Sequence, residues 1–101
     1  MTADTGSSRE LREAVATPGA LLAVLLRDRG MTQAALAEAL RRPPQMVSEI
    51  VTGKKRVTAT TAVQLDRVFG FPARIWLGLQ AHADLRAALD PTSPTREGDP
   101  T

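Results

Sequence analysis

Cationic and hydrogen-bonding side chains are concentrated in one short stretch of this 101-residue chain, between positions 41 and 56. The stretch carries five cations against the single acid Glu49, a net charge of +4, whereas the whole chain has a formal net charge of +2. Lysine and arginine neutralise phosphates, and polar side chains among them can exchange hydrogen bonds with base edges. The combination therefore favours the binding of nucleic acid. The five cations are Arg41, Arg42, Lys54, Lys55 and Arg56.

Two short helices are predicted to position these side chains. Alanine and leucine dominate the segment 33–41, which predicts a helix because both residue types have high helix propensity. Pro43 and Pro44 cannot lie inside that helix, since proline removes a backbone donor. Pro44 does suit the first turn of a new helix, and we expect that helix to run to about Val51. Two helices around a tight connection are the layout of a helix-turn-helix DNA reader.

The second helix of this pair is expected to read the DNA. Val47, Ile50 and Val51 should face the core, which turns the other side chains outward. Pro44 has no donor, so its contact with a base would be apolar, for instance with a thymine methyl group. Two interpretations of Glu49 stay open, a solvated carboxylate or an acceptor for cytosine N4. The predicted base-reading residues are Pro44, Gln45, Met46, Ser48 and Glu49.

A second set of residues is expected to contact the phosphate backbone. Gln33 stands at the start of a helix, where free backbone N–H groups attract phosphate, and its amide can add a donor. The alternative for Gln33 is a solvated side chain. The loop cations behind the second helix complete the set. Its members are Thr32, Gln33, Arg42, Lys54, Lys55 and Arg56.

The remaining sequence predicts three more helices, which makes the fold all-α with five helices. Threonine or proline opens each of the three, and glycine or proline follows each end. They span about 18–29, 59–69 and 73–89. We divide the chain into a flexible lead over 1–16, a helix-turn-helix domain over 17–89 and a disordered tail over 90–101.

The composition argues against several other kinds of site. The chain has no cysteine, and its one histidine, His82, cannot assemble a multi-histidine metal site. We therefore expect no catalytic residue, no metal and no cofactor. The longest apolar run, 20–26, is too short to span a bilayer, so we expect a cytoplasmic protein. Trp76 falls on an apolar stripe of the last helix, and we interpret it as a packing residue.

Four segments of the sequence carry a resemblance to a known family. They are Thr17-Pro18-Gly19, Thr32-Gln33-x-x-Leu36-Ala37, Val47-Ser48-Glu49-Ile50-Val51-x-Gly53-Lys54 and Ile75-Trp76-Leu77-x-Leu79-Gln80. The segments resemble phage-repressor-like (XRE/Cro-type) helix-turn-helix proteins and, among them, the HigA-type antitoxins of toxin-antitoxin operons. The first three are common to many repressor-like domains, whereas the fourth is more particular to the antitoxins. The similarity covers about 17–88.

The resemblance implies an antitoxin that represses its own operon from a palindromic operator and neutralises a ribonuclease toxin by binding it. A homodimer is expected because one reading helix covers too few bases for useful specificity. Two alternatives stay open: a stand-alone regulator of phage-repressor type without a toxin, and an adaptor that binds protein rather than DNA. The expected partners are double-stranded operator DNA, a cognate toxin and a second copy of the chain, with no membrane.

The predicted turn between the two DNA-binding helices departs from the family pattern. Arg41 and Arg42 stand where the turn usually carries glycine and then an apolar residue, so the turn must form without a permissive glycine. In the first helix, residues 20–26 are all apolar, so they cannot all face one core. We place Leu22 and Leu26 on its inner face and hypothesise that Val24 and Leu25 form a protein interface. Cover of these two residues by the lead is the alternative.

Overall fold

The computed structural model describes residues 17–90 of the chain, and within them it contains five α-helices and no strand. The all-α, five-helix prediction is confirmed, and each helix end lies within about one residue of its expected position. The lead over 1–16 and the tail beyond Asp90 lie outside the described residues. The helices are α1 (Pro18–Asp28), α2 (Gln33–Leu40), α3 (Pro44–Thr52), α4 (Ala59–Phe69) and α5 (Ala73–Leu89).

Threonine caps explain where three of the helices begin. The hydroxyl of Thr17 accepts from the backbone N–H of Ala20 at 3.1 Å, and that of Thr32 accepts from Ala35 at 3.0 Å. Thr58 opens α4 in the same way. Each hydroxyl satisfies one backbone donor that the first helical turn leaves unpaired.

The five helices pack around one apolar core whose largest side chain is Trp76. Trp76 is fully buried, and the rings of Phe69 and Phe71 lie with their centroids 6.4 Å from its own. The interpretation of Trp76 as a packing residue is therefore confirmed. The other fully buried large side chains come from α1 to α4 and from the loop before α4, and they are Leu22, Leu36, Val47, Ile50, Val57 and Leu65.

The start of α1 packs directly against the end of α3. A Cβ atom built on Gly19 would lie 2.2 Å from the backbone oxygen of Ile50 and 2.6 Å from that of Val51. Both oxygens belong to the backbone and cannot rotate away, so only glycine fits at this crossing. The contact fixes the direction of α3 relative to the rest of the domain.

The placement of Leu25 in the proposed interface is wrong, because its side chain belongs to the core. Leu25 is 7% exposed and Val24 is half-buried. Leu22, Leu25 and Leu26 follow the i, i+3, i+4 pattern, which covers an arc of about 100° on one helix face. The prediction considered only the i, i+4 pair and so moved Leu25 to another side. Leu25 cannot serve as an exposed contact in this fold.

The last helix buries little of its apolar surface. Trp76 is the only buried residue of α5, and the side facing the other helices continues through half-buried Leu79 and Ala83. Four large apolar side chains of this helix are exposed to solvent. They are Ile75, Leu77, Leu85 and Leu89.

Candidate nucleic-acid interface

The connection between α2 and α3 forms without glycine, as expected. Arg41 adopts the left-handed conformation, with φ 58° and ψ 44°. The N–H of Arg42 then donates to the carbonyl of Ala37 at 2.9 Å, which closes the helix end. A left-handed non-glycine residue costs about 1–2 kcal/mol, and that cost must be offset by the packing of α2 against α3. The turn leaves the Arg41 side chain exposed and Arg42 half-buried.

The outer face of α3 presents a short row of polar groups. Pro44, Gln45 and Ser48 are exposed, and Glu49 is half-buried. The amide of Gln45 donates to the carboxylate of Glu49 at 3.2 Å across one helical turn. Thr52 extends the row by another turn, and its hydroxyl donates to the carbonyl of Ser48 at 3.1 Å.

The sequence-based site omitted Thr52 because α3 was expected to end one residue earlier. Thr52 is four residues beyond Ser48 and therefore lies on the same helix face. The polar periodicity of α3 carried this signal, since Gln45, Ser48, Glu49 and Thr52 repeat at three- and four-residue intervals.

The placement of Met46 among the base-reading residues is wrong. Its side chain is 5% exposed and belongs to the hydrophobic core. Met46, Val47 and Ile50 stand at i, i+1 and i+4, so all three lie within about 100° of one another around the helix. The exposed face of α3 is correspondingly narrower than the sequence predicted.

The loop after α3, residues 54–57, carries three cations, and we call it the cationic loop. Gly53 ends the helix with a left-handed backbone, φ 84°. The N–H groups of Lys54 and Lys55 both donate to the carbonyl of Glu49, at 2.8 and 3.1 Å. Both lysine side chains are exposed, and neither has an ion-pair partner among residues 17–90.

The cationic loop borders an open cleft of about 440 Å³ that also reaches the start of α4. Phosphate groups are favoured both by clustered cations and by the positive end of a helix. Four of the predicted phosphate-binding residues therefore lie around one concave surface. The residues around the cleft are Arg42, Lys54, Lys55, Arg56, Thr58 and Thr61.

Arg56 differs from the other cations because its guanidinium is engaged by the last helix. Its Nη1 donates to Asp84 Oδ1, and this hydrogen bond raises the pKa of Arg56. Gln80 Nε2 donates to the same carboxylate oxygen at 2.9 Å, and Gln80 Oε1 accepts from the N–H of Val57 at 2.9 Å. We call these four residues the α5 clamp. The clamp also gives Gln80, in the fourth family-like segment, a structural role.

The start of α2 offers a further exposed polar pair. Thr32 and Gln33 are both exposed, and the Thr32 hydroxyl is committed to capping the helix. A contact of Thr32 with a phosphate would therefore use its own O–H, because phosphate oxygens only accept hydrogen bonds. Gln33 occupies the first position of α2, where backbone N–H groups have no acceptor within the helix.

Residues 17–90 hold no helix that is long and apolar enough to cross a membrane. The same part of the chain contains no group of three or more side chains suited to a metal ion. His82 is exposed on α5.

Comparison with known proteins places the chain in a family. The sequence model of the helix-turn-helix domain matches residues 9–74, a span that includes both α2 and α3. The virulence-associated protein I of Dichelobacter nodosus is 41% identical over 63 residues, which are 62% of this chain and 58% of that protein. The chain thus spans less than two thirds of the length of this relative.

Two solved structures extend the comparison. The Pseudomonas aeruginosa antitoxin HigA, solved with the higBA promoter, is 33% identical, with 71% of this chain and 79% of that chain covered and a TM-score of 0.68. An addiction module antidote protein of the HigA family from Coxiella burnetii is also 33% identical, with 83% and 92% covered and a TM-score of 0.67. The chain belongs to the helix-turn-helix family and, within it, to the HigA-type antitoxins.

Proposed function

We propose that this protein binds an operator in its own promoter and thereby represses a toxin-antitoxin operon in the cytoplasm. The observation that carries the proposal is the outer face of α3, where exposed polar groups stand between a cationic turn and a cationic loop. Such a helix fits the major groove, with base contacts along its face and phosphate contacts at its flanks. The Pseudomonas relative, which was solved with the higBA promoter, supports the binding of promoter DNA.

Gln45 is the residue best placed to read a base. Its amide keeps its Oε1 acceptor and a second hydrogen on Nε2 while Nε2 donates to Glu49. An amide with both groups available can pair with N6 and N7 of adenine. Glu49 then acts by orienting Gln45, or by accepting directly from cytosine N4. Ser48 and Pro44 add a hydroxyl and an apolar contact on either side.

The phosphate contacts are proposed for both flanks of α3 and for the start of α2. Lys54 and Lys55 supply exposed charges behind α3, and half-buried Arg42 supplies a further charge in front of it. Thr32 and Gln33 would hold a second stretch of backbone at the start of α2. These contacts set register and affinity, whereas the α3 side chains set sequence preference.

The protein partners follow from the family and from exposed apolar surface. We propose a homodimer, because a palindromic operator needs two copies of α3, and a cognate ribonuclease toxin that is neutralised by direct binding. Exposed Leu77, Leu85 and Leu89 on α5 support a protein contact there, since apolar side chains grouped on one helix gain by burial. Val24 is half-buried and offers less surface.

The test is a titration of the purified protein with a duplex from the promoter upstream of its own gene and with a shuffled duplex, at fixed salt. We expect tighter binding to the promoter duplex and co-purification with the product of the adjacent gene. Sequence-specific binding without such a partner would favour the stand-alone regulator. Absence of DNA binding would reject the operator role and favour the adaptor.

A further inference from the structure

The α5 clamp connects the cationic loop to a helix that lies outside the DNA-reading pair. Arg56 and Val57 belong to the loop, whereas Gln80 and Asp84 stand one turn apart on α5. The side chain of Val57 is 2% exposed, so it anchors the far end of the loop in the core. The position of the loop therefore depends on α5 as well as on α3.

The hydrogen bonds of the clamp determine how Gln80 is oriented. Its carbonyl oxygen must face the N–H of Val57, and its amino group must face the carboxylate of Asp84. The reversed amide would set two donors against each other at Val57 and two acceptors against each other at Asp84. Asp84 consequently receives donors from both Gln80 and Arg56 on one oxygen, Oδ1.

The carboxylate of Asp84 changes the electrostatics of the cleft. Arg56 borders the cleft together with Lys54 and Lys55, but the charge of Arg56 is offset by the paired carboxylate. Arg56 is largely exposed and keeps N–H donors that Asp84 does not use, but a phosphate bound there lies close to the carboxylate, at a cost in like-charge repulsion. Lys54 and Lys55 carry no such cost from an ion pair within the described residues.

We propose that Gln80 and Asp84 are positioning residues for DNA binding: Gln80 fixes the end of the cationic loop, and Asp84 weakens the attraction between Arg56 and the phosphate backbone. The inference rests on the proposed function, since it takes DNA as the ligand. It gives Arg56 a role in the clamp, where the sequence predicts a phosphate contact. It also makes α5 a determinant of DNA affinity.

The first test replaces Asp84→Asn and measures binding to a random-sequence duplex of about 30 base pairs, or three helical turns, over a range of salt. Asparagine can still accept from Gln80, so this half of the clamp is kept while the carboxylate charge is removed. We expect the variant to bind more tightly, by about eightfold at 0.1 M salt, because the dependence of log K on log salt should steepen by about 0.9, the value for one additional neutralised phosphate.

The matched control is Asp28→Asn, which makes the same change of net charge at the far end of α1. Asp28 is nine residues beyond Gly19, so it lies about 14 Å along the helix from the contact with α3. This control should leave the salt slope at the wild-type value. An equal effect of the two substitutions would overturn the role of Asp84, because net charge alone would then explain it.

A double variant tests whether Asp84 acts through Arg56. In an Arg56→Ala background, Asp84→Asn should lose most of its gain in affinity and all of its change in slope. A gain that persists in this background would contradict the proposal. Failure of the wild-type chain to bind any duplex would instead reject the proposed function, so the two failures are distinguishable.

The role of Gln80 has a readout that needs no DNA. In Gln80→Ala the N–H of Val57 should exchange with solvent faster, while amides within α4 keep their protection. DNA affinity should fall with the salt slope unchanged, since the loop is less ordered but no cation is removed. Gln80→Leu keeps most of the side-chain volume but removes the acceptor, so it should lose the same protection. Unchanged exchange at Val57 in the alanine or the leucine variant would overturn the role of Gln80.

Discussion

Gln45 and Glu49 are joined across one turn of α3 by a hydrogen bond of 3.2 Å from the amide Nε2 to the carboxylate Oε2. The bond restricts the amide of Gln45 on a face that is otherwise open to solvent. A side chain that is oriented before binding loses less conformational entropy when it meets a base. If Gln45 reads a base as proposed, we therefore expect it to discriminate between bases better with Glu49 than without it.

Replacement Gln45→Ala should weaken binding to the operator by about 1–3 kcal/mol, because one base loses its paired hydrogen bonds. Binding to random DNA should change little. Competition titrations with the two duplexes measure the difference. A matched substitution, Glu49→Gln, should cause a smaller loss if Glu49 only orients Gln45. Equal weakening on both duplexes would remove Gln45 from the base-reading residues.

The double replacement of Lys54 and Lys55 by alanine should have the opposite profile. Both ammonium groups are exposed beside the cleft, and their contacts with phosphate are independent of sequence. Affinity for operator and random DNA should fall alike, and the salt slope should decrease by about 0.9 for each phosphate that is no longer neutralised. Arg56→Ala serves as the comparison and should change the slope less, because the α5 clamp holds that residue. A decrease in affinity confined to the operator would contradict a phosphate role for the lysines.

Met46→Ala should destabilise the domain rather than alter its DNA preference. The side chain is buried in the core, and truncation of a buried methionine costs about 2–5 kcal/mol. Ser48→Ala is the matched control on the exposed face of the same helix, and it should leave stability almost unchanged. Thermal unfolding of the two variants distinguishes the roles. A stable Met46 variant with altered operator preference would return Met46 to the base-reading residues.

The helices could be predicted because the signals for their ends are local. A threonine hydroxyl acts within three residues, as Thr17 and Thr32 show, and a glycine such as Gly53 ends a helix through its own backbone. The exposed polar face of α3 was predicted for the same reason, since side chains three or four residues apart share a side of a helix.

The errors arose where helix spacing alone does not determine which side faces the core. Met46 and Leu25 both stand at the edge of an apolar stripe, and tertiary packing turned each of them inward. The pairing of Arg56 with Asp84 joins residues 28 positions apart, so no local pattern reveals it. The sequence shows the charge of Arg56, but it does not show that Asp84 pairs with it.

The crossing of α1 and α3 offers a test of the fold itself. Gly19→Ala would bring a methyl group against the carbonyl oxygens of Ile50 and Val51, so the two helices must separate. We expect a loss of about 1–3 kcal/mol, as for other overpacked sites. A shift in melting temperature of about 4–8 °C per kcal/mol makes this measurable for a domain of this size.

Gly78→Ala provides the matched control for Gly19→Ala. Gly78 lies inside α5 with nothing within 4 Å of a built Cβ atom, so alanine adds helix propensity without a clash. That variant should gain about 0.8–1.0 kcal/mol. The contact between α1 and α3 helps to orient α3. Gly19→Ala should therefore also weaken operator binding at temperatures where the domain stays folded. Equal stability of the two alanine variants would show that the crossing does not require glycine.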